Sequence, residues 1–234
     1  MTPPSIRVED LAGYIEHTLL KPEASVEQID RLCDEANFHG FHAVCVNPIH
    51  VRRAANRLAQ SRASSRGRLP VVVSVAGFPL GANRTEIKAD EARRAMDDGA
   101  QEIDMVAGIG ALVAGDRSAV RDDIAAVARA VHERRGILKV ILETRVLSEE
   151  QIILGCRCCA EGEADFVKTS TGLHEAGGAT VEHVKLLRRH AAPIKVKAAG
   201  GIRTAAAALS MIQAGAARIG TSAGPAIINQ YRDR

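Results

Sequence analysis

The chain of 234 residues is 46% hydrophobic and 25% charged, proportions that fit a folded globular protein and exclude disordered, collagen-like and disulfide-scaffold chains. Its net charge is only +3, the charges are interspersed and aromatic residues are few, so neither a nucleic-acid surface nor another strongly charged partner is predicted. Five cysteines, a start without a secretory signal and no apolar run of membrane-spanning length predict a cytoplasmic protein with free thiols and no membrane partner.

Short apolar runs alternate with longer helical segments along the whole chain. In chain order, the predicted strands are 17–20, 42–46, 71–76, 102–106, 138–142, 165–168, 194–198 and 217–220. Eight units in 234 residues give about 29 residues each, close to the size of a βαβ unit. We therefore predict one α/β domain over residues 1–234, a (β/α)8 TIM barrel with a short N-terminal helix. An open, doubly wound sheet is the alternative.

The ends of several helices can also be predicted. Ser25 with Gln28, and Ser148 with Gln151, have the spacing of a capping box, in which a serine and a glutamine satisfy each other's backbone amides at a helix start. Glycines that follow helical segments predict left-handed C-caps. They are Gly40, Gly99, Gly136, Gly162 and Gly215.

Charged residues occur inside several predicted strands, although barrel strands are buried on both faces. Such a charge is costly unless it is paired or serves chemistry. Strand alternation places these pairs on common faces: Glu102 with Asp104, Lys139 with Glu143, and Lys195 with Lys197. Barrel active sites lie at the C-terminal ends of the strands. The charged residues toward that end are Asp104, Glu143, Lys168 and Lys197.

Lys168 and Lys197 are predicted to converge from adjacent strands. Burial and a second nearby cation both favour a neutral amine, the form of lysine that attacks a carbonyl. Asp104, on a neighbouring strand, is in a position to relay protons. This pattern predicts a Schiff-base lysine; the alternative is a buried ion network with a structural role only.

Turns rich in glycine and hydroxyl residues follow the last three predicted strands, at 170–172, 200–201 and 220–222. The turns after the last strands of a barrel commonly bind phosphate through backbone N–H groups. Any one of them is accounted for by a tight turn between a strand and a helix. Three at adjacent strand ends predict an anion site.

Two segments carry a resemblance to a known family. Asp-Phe-Val-Lys-Thr-Ser-Thr-Gly at 165–172 and Val-Lys-Ala-Ala-Gly-Gly-Ile-Arg at 196–203 resemble the signature segments of the deoxyribose-phosphate aldolase family. Further matching segments follow in family order over nearly the whole chain. They are 16–20, 44–48, 77–81, 102–106, 139–144 and 218–222.

The resemblance implies a class I aldolase that needs neither a metal nor an organic cofactor. It would reversibly cleave 2-deoxy-D-ribose 5-phosphate to acetaldehyde and D-glyceraldehyde 3-phosphate, in deoxyribose phosphate catabolism. By matching position, Lys168 forms the Schiff base, Lys197 lowers its proton affinity and relays protons, and Asp104 donates and accepts protons. The positions matched to substrate binding are Thr18, Cys45, Thr171, Gly172, Gly200, Gly201 and Ser222.

The chain departs from the family pattern at two positions. Glu16 stands where the family usually has aspartate, which shifts its contact to a sugar hydroxyl by one methylene, and Ala223 replaces a serine of some members. Tyr231 is the one candidate for the phosphate-contacting tyrosine near the C-terminus of some members. The alternatives are another lysine-dependent barrel such as a transaldolase, a metal-dependent aldolase and a non-catalytic sugar-phosphate-binding barrel. A homodimer is a further expectation.

Two other groups of residues are interpreted as structural. Three cysteines fall on a helix predicted to start near Glu149, without the spacing of a zinc site, and two histidines lie beside strands. We expect ordinary thiols and packed, hydrogen-bonded imidazoles. These residues are Cys156, Cys158, Cys159, His17 and His42.

Overall fold

The computed structural model describes residues 7–61 and 69–232. Its eight parallel strands form a closed barrel in sequence order, with the first strand hydrogen-bonded to the last. The closed ring confirms the TIM barrel and shows that the open sheet is wrong. No helix within these ranges is long and apolar enough to cross a membrane.

All eight predicted strands are present, with ends within two residues of the prediction. The strands are β1 Ile15–Leu19, β2 Ala43–Val46, β3 Val71–Ala76, β4 Glu102–Val106, β5 Ile137–Ile141, β6 Phe166–Lys168, β7 Lys195–Ala199 and β8 Arg218–Thr221. The helices are α1 Val8–Ala12, α2 Val26–His39, α3 Val51–Ala59, α4 Thr85–Asp97, α5 Ile109–Ala114, α6 Arg117–His132, α7 Glu149–Glu161, α8 Val181–His190, α9 Ala205–Gln213 and α10 Gly224–Arg232. The short α1 is the predicted N-terminal helix.

Both capping boxes are confirmed at the starts of α2 and α7. The left-handed conformation is confirmed at Gly40, and Gly99 and Gly215 also have positive φ.

The left-handed caps predicted at Gly136 and Gly162 are wrong, because the residues beside them, Arg135 and Glu163, take the positive φ instead. Both glycines are needed for close packing: a Cβ at Gly136 would lie 2.4 Å from the Met96 side chain.

The interior of the barrel is divided into an apolar half and a charged half. The inward-facing residues of β2 and β3 are apolar, and with Leu20, which follows β1, they form a cluster of their own, made by Leu20, Ala43, Cys45, Val73 and Val75. The opposite side of the interior, from β4 round to β1, carries buried charged groups. They are Glu16, Glu102, Asp104, Lys139, Lys168 and Lys197. The apolar half removes water from the charged half, which strengthens every electrostatic interaction there.

The cysteines and histidines interpreted as structural are packed as expected. All five cysteines are free and buried, three of them on α7. The His17 ring packs edge-on against Phe41 and its Nε2 is 2.9 Å from Glu35. The His42 Nε2 is 3.0 Å from a Glu102 oxygen.

Candidate active site

The register of the barrel brings the predicted lysine pair together. Lys168 at the end of β6 is the direct neighbour of Lys197 on β7, and Asp104 on β4 is the neighbour of Lys139 on β5. All four side chains point inward and are buried. Lys195 shares a face with Lys197 but is exposed, because it is the first residue of β7 at the N-terminal end of the barrel.

Asp104 lies at the centre of the cluster. Its Oδ2 accepts hydrogen bonds from the Lys168 and Lys197 amines, each at 2.6 Å. Its Oδ1 accepts a third from Lys139 at 3.0 Å. One carboxylate therefore connects three lysines, and a proton has a direct route between the two amines on Oδ2.

Lys139 and Glu16 surround this centre and are both fully buried. The Lys139 amine is 2.5 Å from a Glu102 oxygen and 3.7 Å from Glu16 Oε1. The Lys197 amine donates a very short hydrogen bond to Glu16 Oε2. The Glu16 carboxylate is thus bound by Lys197, and its contact to a sugar hydroxyl stays a prediction.

The electrostatics single out Lys168 among the three lysines. Burial lowers the pKa of the Lys168 amine, and the nearby Lys197 charge lowers it further, while Asp104 only partly offsets these effects. Burial also disfavours the charged forms of Lys139 and Lys197, but their carboxylate neighbours outweigh it and raise the pKa of both amines. Lys168 is therefore the amine most readily neutral, and thus nucleophilic.

The Asp104 carboxyl responds in the opposite sense. Burial alone would raise its pKa, but the charges of Lys139, Lys168 and Lys197 outweigh burial and hold the pKa well below its usual range. Asp104 is thus ionised in the resting protein, and its capacity to take a proton depends on the charge of its lysine neighbours.

A cavity of about 290 Å³ opens above Lys168, at the C-terminal ends of β1, β6, β7 and β8. Asp104 and Lys197 lie beneath it and are not part of its lining. Six of the residues predicted to bind substrate line the cavity: Thr18, Thr171, Gly172, Gly200, Gly201 and Ser222.

Cys45, also predicted to bind substrate, is not part of the described lining of this cavity, and its role stays a prediction. Its inward-facing side chain is fully buried in the apolar half of the barrel. Burial raises the pKa of the Cys45 thiol to about 11. The thiol is therefore neutral at physiological pH.

The glycine turns around the cavity pack directly on one another. Gly172, Gly200 and Gly201 all have φ between +77° and +91°, which favours glycine. Within the described ranges, no acceptor is found for the N–H groups of Gly172, Gly201 and Ser222. These three donors border the cavity and suit an anion.

Thr171 differs from these donors. Its hydroxyl and its backbone N–H both donate to Glu143 Oε2, at 2.5 and 3.2 Å. Glu143 lies just beyond β5, at the predicted end of the barrel, with φ of 59°. This pair holds the turn after β6 in place, so the Thr171 donors are not free for an anion.

Sequence reasoning missed two basic residues, Lys21 and Arg203, which line the cavity and are exposed at its mouth. Together with Lys168 they make all the charged residues of the described lining basic. Lys21 directly follows the matched segment 16–20, and Arg203 is the last residue of the matched segment 196–203, so these positions were the available signal. Tyr231 instead packs against the hydrophobic core and does not line this cavity.

The fold and the buried cluster define a TIM-barrel protein whose lysines meet under a basic cavity at the C-terminal ends of the strands. Residues 12–230 match the family model described as DeoC/LacD family aldolase. The chain belongs to this family and is therefore an aldolase, a type of lyase.

Individual relatives agree with the family. A deoxyribose-phosphate aldolase from Thermococcus gammatolerans is 52% identical over 225 residues, covering 96% of this chain and 97% of the relative. One from Brevibacillus brevis is 50% identical, covering 92% and 93%. A solved structure, a tetrameric deoxyribose phosphate aldolase from Aeropyrum pernix, has a TM-score of 0.87 at 30% identity and covers 97% of this chain and 92% of that chain.

Proposed function

We propose that this protein is a class I aldolase that reversibly cleaves 2-deoxy-D-ribose 5-phosphate to acetaldehyde and D-glyceraldehyde 3-phosphate. The main support is that Lys168 lines the basic cavity and that its amine has a lowered pKa. The pKa values of the Lys139 and Lys197 amines are raised instead. The names of the relatives supply the substrate.

In the cleavage direction, the neutral Lys168 amine adds to the aldehyde carbon of the open-chain sugar and loses water to form an iminium ion. Loss of the proton from the C3 hydroxyl breaks the C2–C3 bond, and the electron pair flows into the iminium. Glyceraldehyde 3-phosphate leaves, and an enamine of acetaldehyde remains on Lys168. Protonation of the enamine carbon and hydrolysis then release acetaldehyde and restore the amine.

Lys197 and Asp104 would move the protons that these steps need. Asp104 contacts both amines through one oxygen, so a proton passes between Lys197 and the Lys168 adduct across a single carboxylate. Lys197 is suited to remain charged, because Glu16 and Asp104 raise its pKa. Its charge in turn helps to keep Lys168 neutral.

The phosphate group would lie against the N–H groups of Gly172, Gly201 and Ser222, with Lys21 and Arg203 at the cavity mouth. Gly200 gives the turn its shape, and Thr171 positions it through Glu143. Thr18, whose hydroxyl donates to the Glu16 carbonyl oxygen, keeps lone pairs for a sugar hydroxyl.

The remaining parts of the proposal rest on the composition, charge pattern and organisation of the sequence, together with the family resemblance. They are a single domain over residues 1–234, chemistry without a metal or an organic cofactor, a cytoplasmic location, no nucleic-acid or membrane partner, and a homodimer.

The test is covalent trapping. The protein is incubated with acetaldehyde and sodium borohydride, and its intact mass is measured. We expect the gain of one reduced ethyl group that maps to Lys168, and loss of both adduct and turnover in Lys168→Leu. Lys195→Leu, at the opposite end of the barrel, is the control and should retain both. Near-normal turnover of Lys168→Leu would overturn the proposal, and binding of the sugar phosphate without turnover or adduct in the wild type would favour a non-catalytic barrel.

A further inference from the structure

The charges inside the barrel do not balance once Lys168 is neutral. Among the residues that the structure describes, the strands place three buried carboxylates in the interior: Glu16, Glu102 and Asp104. With Lys168 neutral, only Lys139 and Lys197 remain as ammonium groups. A net charge in a dry interior is costly, and it would favour return of the proton to Lys168.

Arg218 supplies a further positive charge from the N-terminal end of the barrel. It is the first residue of β8 and the register neighbour of Lys197. Its Nε is 3.9 Å from Glu16 Oε1, and its side chain is only 22% exposed. The guanidinium group lies 5.6 Å above the Phe166 ring, and Nη1 donates to the Ala217 carbonyl oxygen.

His42 is the other basic group at the edge of this network, where its imidazole contacts the Glu102 carboxylate. An imidazole carries a charge only when protonated, whereas a guanidinium is charged at every working pH. Arg218 therefore provides the compensation that does not change with pH.

We propose that Arg218 is a positioning residue for the reaction, which compensates the Glu16 carboxylate and thereby helps to keep the Lys168 amine neutral. This inference rests on the proposed Schiff-base function. The path runs through contacts already described: Arg218 to Glu16, Glu16 to Lys197, and both Lys197 and Lys168 to Asp104.

The strands around Lys168 differ in the groups that they turn toward it. β3 faces the interior with Val73 and Val75, which do not titrate. The titratable and charged groups on the other strands are Glu16 on β1, Cys45 on β2, Glu102 and Asp104 on β4, Lys139 on β5, Lys197 on β7 and Arg218 on β8. Arg218 is the partly exposed member of this set, whereas the others are buried.

The sign of the effect follows from charge. Removal of Arg218 leaves Glu16 less compensated, so the added negative potential favours the protonated Lys168 amine. A higher pH is then needed to reach the neutral form. Each pH unit of such a shift lowers the neutral fraction about tenfold on the acidic side, so we expect trapping rates there to fall roughly three- to tenfold.

The experiment measures the rate of acetaldehyde trapping by borohydride-type reduction from pH 5 to 9, scored by intact mass. Arg218→Met should move the acidic limb of the profile to higher pH, and Arg218→Lys should largely restore it. Lys195→Met is the matched control: Lys195 also lies over Phe166, at 5.7 Å, but has no carboxylate contact in the described structure. Its profile should match that of the wild type.

A structural role alone would lower the rate equally at all pH values without moving the limb, and that result would overturn the inference. An equal shift in Lys195→Met would also overturn it, because any nearby surface charge would then suffice. If Arg218→Met fails to fold, Arg218→Gln is measured instead, because it also removes the charge but keeps a polar head group; an acidic limb at the wild-type position would overturn the inference. Absence of any adduct in the wild type would instead remove the Schiff-base function itself.

Discussion

Asp104 is the residue on which the buried cluster depends, because three lysines donate to its two oxygens. Asp104→Asn keeps the shape of the side chain but removes the charge and replaces one acceptor with a donor. We expect kcat for aldol cleavage to fall by about 10²- to 10⁴-fold, the usual contribution of a positioned acid or base, with a smaller change in KM. Steady-state kinetics would measure both values.

Asp165→Asn is the control for this substitution. Asp165 lies just before β6 at the N-terminal end of the barrel, where it accepts hydrogen bonds from His132 and the Leu138 N–H. Its variant should keep most of its activity. If Asp104→Asn retained half of the wild-type kcat, the proposed proton route would have to bypass Asp104.

Much of the cluster could be predicted, because strand alternation and barrel order place Asp104, Lys168 and Lys197 at one end of the interior. The contacts that individual side chains make could not be predicted in this way. Nothing in the local sequence shows that Glu16 turns to Lys197 or that Cys45 is sealed beneath the cavity, since both outcomes depend on what the neighbouring strands place beside them.

At the level of elements, the turns after β6 and β7 meet in close backbone contact and form the proposed anion cradle, made by Gly172, Gly200 and Gly201. A Cβ at Gly200 would lie 2.8 Å from Gly178 Cα and 3.1 Å from Gly172 Cα, at a φ of +91°. Gly200→Ala is therefore expected to displace the cradle. We expect KM for the phosphorylated substrate to rise about tenfold or more, and the free energy of unfolding to fall by about 1–3 kcal/mol.

Gly110→Ala is the matched control for the cradle, because Gly110 lies in α5 and a Cβ there would meet no atom within 4 Å. Alanine is the better helix former at this position, so unfolding should become no easier. Urea titration measures the free energy of unfolding of each variant, and substrate saturation curves measure its KM. Equal KM values in both variants would show that the turn does not hold the phosphate.

The elements themselves were predictable, since apolar runs and capping boxes are local signals. The two wrong predictions of helix caps, at Gly136 and Gly162, show that a local signal does not always decide the conformation. A glycine after a helix can serve a left-handed turn or make room for a side chain from elsewhere, and Gly162 does the latter: its Cβ would lie 2.6 Å from Ile124. The sequence pattern is the same in both cases.

For the whole molecule, the buried thiols predict sensitivity to alkaline pH. Burial raises the pKa of Cys33 and Cys156 to about 12 and that of Cys45 to about 11. An unfolded thiol ionises near pH 8.5. Each thiol therefore leaves stability unchanged below that pH and lowers it by roughly 1 kcal/mol per pH unit above it, until the folded pKa is reached.

Urea midpoints at pH 7.5 and pH 10 would measure this fall, and Cys156→Ala should make it shallower. A thiol reagent added at pH 8 should react slowly with the native protein and with all five cysteines in urea. Rapid reaction of every thiol in the native protein would contradict the burial on which the prediction rests.

The pairing of β1 with β8 has a consequence for synthesis. Glu16 leaves the ribosome early, but its partner Lys197 is made 181 residues later. Until then the Glu16 carboxylate lacks its nearest counter-ion, which disfavours closure of the barrel around it. The buried cluster around Lys168 is complete only when the last strand meets the first, long after local helices can form. The rate at which aldolase activity returns during refolding would therefore measure the rate at which β1 pairs with β8.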